Sequence, residues 1–214
     1  MIKKHSNVID PARIHIQLND SAGIDEVGRG PLAGPVVAAA VVLGDHSTWE
    51  GVKDSKALTP KRRANIAEEL KQDVRAWALG RCEVTEIDTL NIFNASLLAM
   101  RRAFEGLCAK VSLVLVDGKF APELSVPSYA IIKGDSRVTS ISAASILAKV
   151  ARDKEMQELD QYFPQYGFAQ HKGYPTAKHI AALQEYGPCC HHRQSFKPVR
   201  AVMNASTSTI KSAV

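Results

Sequence analysis

Apolar residues fall in blocks along this chain, and the spacing within each block predicts the element it builds. Val36 to Leu43 is continuous and rich in β-branched residues, the pattern of a strand covered on both faces. Gly44-Asp45 ends it. A shorter run, Gly23 to Val27, predicts a strand just upstream, and the glycine- and proline-rich segment 28–35 predicts a loop between the two. Thr59-Pro60 joins a capping hydroxyl to a proline suited to the first helical position, so a helix should follow with Ala67, Leu70 and Val74 on its buried side. Arg75 to Val84 predicts a further strand. Thr85-Glu86-Ile87-Asp88 resembles a capping box, with Asp where Glu is preferred. Beyond it Leu90, Phe93, Leu97, Met100, Phe104 and Leu107 recur at alternating steps of three and four, which predicts one long amphipathic helix.

Leu113 to Val116 and Tyr129 to Ile132 predict two short strands, closed by Asp117-Gly118 and by Lys133-Gly134-Asp135. Val138 to Leu159 predicts a helix. Its first half, Ser140 to Ser145, is rich in small residues, which permits close approach to a sheet or a substrate. Pro175 to Tyr186 predicts another helix, opened by its first-turn proline. From Asn204 onward the sequence has no packing pattern, so residues 201–214 are expected to form a flexible tail. Residues 1–20 are weakly patterned and are expected to be an extension to one domain over 21–200. Strands first, then strands alternating with helices, predict an α/β fold with an antiparallel front portion.

Composition narrows the class. The chain has 214 residues, 45% hydrophobic and 23% charged, enough to bury a sizeable core and unlike a disordered, collagen-like or coiled-coil chain. No apolar run approaches the roughly 20 residues of a membrane span. The lysines near the start are followed by no apolar core, so a secretory signal is not expected and the cytoplasm is. A formal charge of +5 favours a polyanionic partner without specifying one. Cys82, Cys108, Cys189 and Cys190 are expected to be thiols. Cys189-Cys190-His191-His192 lacks the ligand spacing of a zinc site.

The candidate chemistry lies in four acids. Asp25 and Glu26 sit inside the first strand, while Asp117 and Asp135 follow two others. A carboxylate in or at the end of a buried strand is costly unless it is paired or binds a cation. Strand ends are also where α/β folds usually place ligands, and carboxylates suit hard ions such as Mg2+ or Mn2+. Taken singly, Asp117-Gly118 and Gly134-Asp135 are ordinary turn dipeptides. Adjacent strand residues also point to opposite faces, so Asp25 and Glu26 can share an ion only through a twist or a distortion. Gly28-x-Gly30-x-x-Ala33 matches a dinucleotide fingerprint in form only, because Pro35 and the valine run predict a strand where that site needs a helix. Glycines flanking Arg29 instead let backbone N–H groups approach a ligand, and Arg29 can reach a phosphate or balance the acids. Lys56 and Lys172 are candidate phosphate contacts, and Tyr174 can stack on a base or a sugar.

Together these segments resemble the type 2 ribonuclease H family, bacterial ribonuclease HII. The resemblance rests on Gly23 to Leu43, Asp54-Ser55-Lys56, Leu115 to Lys119, Lys133 to Ser136, Ser140 to Asp153, His171 to Thr176 and His192 to Phe196, in that order. It implies a ribonuclease H-like mixed β-sheet flanked by helices, with a small C-terminal helical part. It implies that Asp25, Glu26, Asp117 and Asp135 are catalytic and bind Mn2+ or Mg2+. It implies further that Gly28, Arg29 and Gly30 read a ribose 2′-OH, with Tyr174 against the neighbouring sugar and Lys56 on a phosphate. The expected activity is endonucleolytic, on RNA–DNA hybrids and on duplex DNA containing ribonucleotides, by a monomer that binds no membrane. A four-acid exonuclease, a non-catalytic nucleic-acid binding module and a phosphate-handling small-molecule enzyme are the rival readings; none accounts for both the Gly-Arg-Gly loop and the complete set of acids.

Overall fold

The structure, a computed structural model, describes Val8, residues 20–44, Val52 and residues 58–211, the last helix with side chains only to Ala205. Five strands occur in it: β1 (Ser21–Val27), β2 (Val36–Val42), β3 (Ala76–Cys82), β4 (Leu113–Asp117) and β5 (Ser128–Ile131). The helices are α1 (Pro60–Asp73), α2 (Val84–Leu90), α3 (Ile92–Glu105), α4 (Thr139–Tyr162), α5 (Phe168–His171), α6 (Ala177–Tyr186) and α7 (Lys197–Lys211). Two compact units divide the chain, one of Met1–Val27, Val37–Arg81 and Ser96–Ala151, the other of Gly28–Val36, Cys82–Ala95 and Arg152–Val214.

The first unit is built on a sheet of order β3-β2-β1-β4-β5. β1 pairs antiparallel with β2 and parallel with β4, and β4 pairs parallel with β5. This is the mixed sheet that the order of elements predicts. All of β2 is buried, as its unbroken apolar run requires. Val8 adds an isolated parallel bridge to Ala130 of β5. α1 begins where Thr59 caps it, its hydroxyl accepting the Arg62 N–H, and buries Ile66, Ala67 and Leu70. These pack with Ala39 and Val41 of β2 and with Ala143, Ala144, Leu147 and Ala148 of α4. The small residues of α4 do what their size allows. A Cβ on Gly23 would overlap the backbone of Ser140 and Ile141, so the strand and helix meet with no side chain between them.

The second unit holds the loop 28–35 and most of the remaining helices. Leu32 packs with Leu183 of α6 and Val199 of α7, while Ala33 packs with Met156, Tyr166 and Phe168. That loop leads into β2, so no helix follows Gly28-x-Gly30-x-x-Ala33 and no dinucleotide turn forms.

Several boundaries depart from the pattern reading. The capping box is Glu83 with Glu86, two residues earlier than expected, with the Glu83 N–H donating to Glu86 Oε2 at 2.9 Å. The single long helix expected from Leu90 is broken at Asn91, whose φ of 68° ends α2 and whose side chain accepts the Asn94 N–H at the start of α3. α6 is capped by Thr176, leaving Pro175 outside it. The segment after Asn204 is helical as far as Lys211, because α7 simply continues through residues that hold no apolar stripe of their own. α5 and the 3-10 turn Pro164–Tyr166 have no counterpart in the periodicity, being shorter than one period can reveal.

Candidate active site

The four acids all belong to the first unit, and the sheet sets two of them, Asp25 and Asp117, side by side. β1 and β4 are parallel with Ile24 opposite Val116, so the next residue of each strand sets Asp25 level with Asp117. Asp117 is also opposite Ile131 of β5. Beyond β5 the chain turns at Lys133, which has a left-handed φ of 55°, into the 3-10 turn Gly134–Ser136. That turn directs its N–H groups back at β4. Asp117 Oδ1 accepts Gly134 N–H at 2.6 Å and Asp135 N–H at 3.3 Å. The strand-end acid and the turn-borne acid are therefore fixed to one another by backbone hydrogen bonds.

Asp25 is 7% exposed and Asp135 8%, while Glu26 and Asp117 are half-buried. Asp25 accepts the Glu26 N–H at 2.7 Å, and Ser145 on α4 also bonds its side chain. Burial, with the Glu26 and Asp117 carboxylates beside it, holds the Asp25 carboxyl well above the usual carboxylate range despite these hydrogen bonds. So Asp25 and Glu26 do act on one another, although successive strand residues point to opposite faces.

Among the described residues, no three acidic, histidine or cysteine side chains are gathered closely enough to cage an ion as they stand. The donors nevertheless fit a hard divalent cation. They are carboxylate oxygens, and the buried Asp25 meets two like charges whose repulsion a cation would reverse. Lys56, with Asp54 and Ser55, lies outside the described residues.

The Gly-Arg-Gly loop belongs to the second unit, where two buried arginines hold it from behind. Arg193 is fully buried and turns its whole fork onto carbonyls. Its Nε donates to Gly34 at 3.0 Å, its Nη1 to Pro31 at 2.8 Å and Arg29 at 3.2 Å, and its Nη2 to Gly28 at 2.6 Å, Gly34 at 2.8 Å and Pro35 at 3.2 Å. Arg152 donates to Pro35, Ala33 and Lys172. Burial, with Arg152 nearby, pushes Arg193 down to about 9, so it is still a cation at neutral pH. Backbone pairs complete the mount: Leu32 N–H to Gly173, Gly34 N–H to His191 and Arg193 N–H to Leu32. Gly28 has a φ of 97°, and a Cβ there would overlap Arg152. Arg29 and Gly30 are exposed.

Tyr174 is exposed beside this loop, and a Cβ on Gly30 would stand 3.4 Å from its ring. Its backbone is pinned by a histidine chain. The Tyr174 carbonyl can only accept, so His179 Nδ1 carries the hydrogen at 3.0 Å. His179 Nε2 then accepts from His192 Nε2 at 3.1 Å, and His192 Nδ1 accepts the Cys189 N–H at 3.0 Å. His171 stacks on His179 with ring centres 4.4 Å apart and accepts the Gly173 N–H. Burial pushes His192 down to about 4 and lowers His179. The pattern reading missed these supports. Arg152 had a signal, since it shares the fully buried stripe of Ala148 and Met156 at helical spacing. Arg193 had none in the periodicity, because it lies in an irregular segment. Lys172 Nζ donates to the Ala169 carbonyl, which ties it to its own helix turn.

Comparison with known proteins bears on both units. The family model described as ribonuclease HII matches residues 22–199. Ribonuclease H2 from Pyrococcus horikoshii OT3 is 26% identical, with 86% of this chain and 97% of that one aligned at a TM-score of 0.75. Ribonuclease HII of Archaeoglobus fulgidus, solved in a PCNA complex, is 25% identical over 85% of this chain and 96% of that one, with a TM-score of 0.64. Bst-RNase HIII, solved in complex with Mn2+, shares the fold at a TM-score of 0.72, with 19% identity over 90% of this chain and 72% of that one. The match runs through both units and through every acid discussed above, and on that ground the chain belongs to the ribonuclease HII family of type 2 ribonucleases H and is a ribonuclease H hydrolase.

Proposed function

We propose that this enzyme cuts the RNA strand of RNA–DNA hybrids and nicks duplex DNA on the 5′ side of embedded ribonucleotides, leaving 3′-hydroxyl and 5′-phosphate ends. Its role is then the removal of ribonucleotides from DNA, as a cytoplasmic monomer. The observation that carries this reading is the level placement of Asp25 and Asp117 at the ends of parallel strands, within a ribonuclease HII chain. Asp25, Glu26, Asp117 and Asp135 are the residues that would hold Mn2+ or Mg2+, which when bound supplies a water of lowered pKa and neutralises charge on the departing 3′ oxygen. The Mn2+ complex of the type 3 relative supports that choice of ion.

The chain's own residues do the rest. Asp117 is held in one orientation by Gly134 N–H, so its second oxygen has a fixed direction. Ser145 and the Glu26 N–H orient the Asp25 carboxyl in the same way. The backbone of Gly28, Arg29 and Gly30 reads the 2′-OH, the one group that separates RNA from DNA at a given sugar. Tyr174, whose ring neighbours Gly30, lies against the adjoining sugar. Lys56 contacts a phosphate, a role drawn from the family resemblance alone.

The test is an end-labelled DNA duplex with one ribonucleotide, incubated with protein and Mn2+ or Mg2+, and then with EDTA. One metal-dependent nick on the 5′ side of the ribonucleotide is expected. An intact duplex, with an RNA–DNA hybrid also intact, would overturn the proposal. Arg29→Ala keeps the backbone N–H groups but should blur the choice of cut site, and an unchanged position and rate would remove the Arg29 side chain from the mechanism.

A further inference from the structure

The two ends of the loop 28–35 meet at one side chain that none of the roles above assigns. Arg193 reaches five carbonyls of this loop, those of Gly28, Arg29, Pro31, Gly34 and Pro35. A lysine could not do this, since a compact ammonium lacks the planar fork. The Phe196 ring covers one face of the guanidinium, its centroid 5.1 Å away. Asp88 on α2 anchors the same turn by accepting the N–H groups of Gln194 and Ser195, each at 2.9 Å.

The consequence follows from peptide geometry. No cis bond occurs among the described residues, and in a planar trans peptide the carbonyl and the next N–H point in opposite directions. With the Gly28 and Arg29 carbonyls drawn onto Arg193, the N–H groups of Arg29 and Gly30 are directed away from it, on the exposed stretch of the loop. Had the loop no such anchor, its two glycines would allow many orientations of these groups.

We propose that Arg193 is the positioning residue for ribonucleotide discrimination: by gathering the loop carbonyls it presets the direction of the N–H groups that meet a ribose hydroxyl. This inference rests on the reading of the Gly-Arg-Gly loop given above. Arg193 touches no substrate. It lowers the cost of ordering a glycine-rich reader, so its effect falls on the difference between a 2′-OH and a 2′-H sugar rather than on affinity for the duplex as such.

The experiment measures binding in the cleavage-silenced variant Asp117→Asn, comparing a duplex containing one ribonucleotide with the all-DNA duplex of the same sequence. Adding Arg193→Lys should lower the preference for the ribonucleotide by about tenfold, the size of one hydrogen bond to a polar group, and leave all-DNA affinity within about twofold. A preference kept intact overturns the inference, and so does an equal loss on both duplexes, which marks a merely structural role. If circular dichroism shows that Arg193→Lys does not fold, Asp88→Asn carries the test, because it keeps the guanidinium and weakens the anchor of its turn. Reduced preference at unchanged all-DNA affinity then supports the inference, and unchanged preference overturns it. A lack of preference in the Asp117→Asn parent would instead overturn the reading of the loop, and this inference with it.

Discussion

Asp117 Oδ1 and the backbone N–H of Gly134 are 2.6 Å apart, a hydrogen bond that ties the end of β4 to the turn bearing Asp135. An asparagine at 117 keeps an oxygen for this bond and loses only the charge. Asp117→Asn should therefore fold normally while turnover drops by more than about 100-fold, beyond what loss of a supporting partner costs. Duplex binding should stay within about threefold, since phosphate contacts dominate it. Single-turnover cleavage beside a filter-binding titration checks both, and near-parental turnover would remove Asp117 from the mechanism.

Asp25 presents the opposite balance, a carboxyl buried against Glu26 and Asp117. Removing its charge should relieve repulsion in the absence of divalent ions. In EDTA, Asp25→Asn should melt at a higher temperature than the parent. Adding Mn2+ should raise the melting temperature of the parent and have much less effect on the variant. Thermal unfolding of the two proteins with and without Mn2+ decides the matter. Equal responses to Mn2+ would show that Asp25 holds no ion.

Gly28 combines a φ of 97° with a position where any Cβ would overlap Arg152. Gly28→Ala meets backbone strain and overpacking together, which predicts a loss of about 2–4 kcal/mol. Urea denaturation measures it. A loss below about 0.5 kcal/mol, the usual size for a surface change, would mean that the loop relaxes freely and is not held by the arginines behind it.

These sites differ in how far the amino-acid pattern reveals them. The strand β2 and the buried face of α1 are written in their apolar spacing, because burial on a sheet or a helix repeats with the element. Asp117 and Asp135 are visible as charges where such runs end, although only pairing shows that the Gly134 turn folds back onto Asp117. Asn91 hides its effect, since a left-handed φ at one residue splits a helix without disturbing the three-and-four spacing around it. Arg193 is hidden altogether. Its partners are carbonyls, present at every residue, and they lie about 160 positions away in the chain. Asp88, read first as part of a capping box, instead accepts from Gln194 and Ser195.

The histidine chain behind Tyr174 makes stability depend on acid. His192 must stay neutral, because its Nδ1 accepts from Cys189 and its Nε2–H donates to His179. A proton on Nδ1 would abolish the first bond, and one on His179 Nε2 would set two hydrogens face to face. Burial pushes His192 down from an ordinary 6.5 to about 4. An unfolded chain therefore takes up a proton in this interval that the native state refuses. The contribution is fully present above pH 6.5 and is lost as the pH falls toward 4, by up to about 1.4 kcal/mol per pH step. His179, also lowered by burial, adds a loss of the same sign. Urea unfolding at pH 7, 6, 5 and 4 should show this slope, and His192→Gln should flatten much of it. An unchanged slope in His192→Gln would mean that this imidazole titrates freely and that the histidine chain does not lock Tyr174 in place.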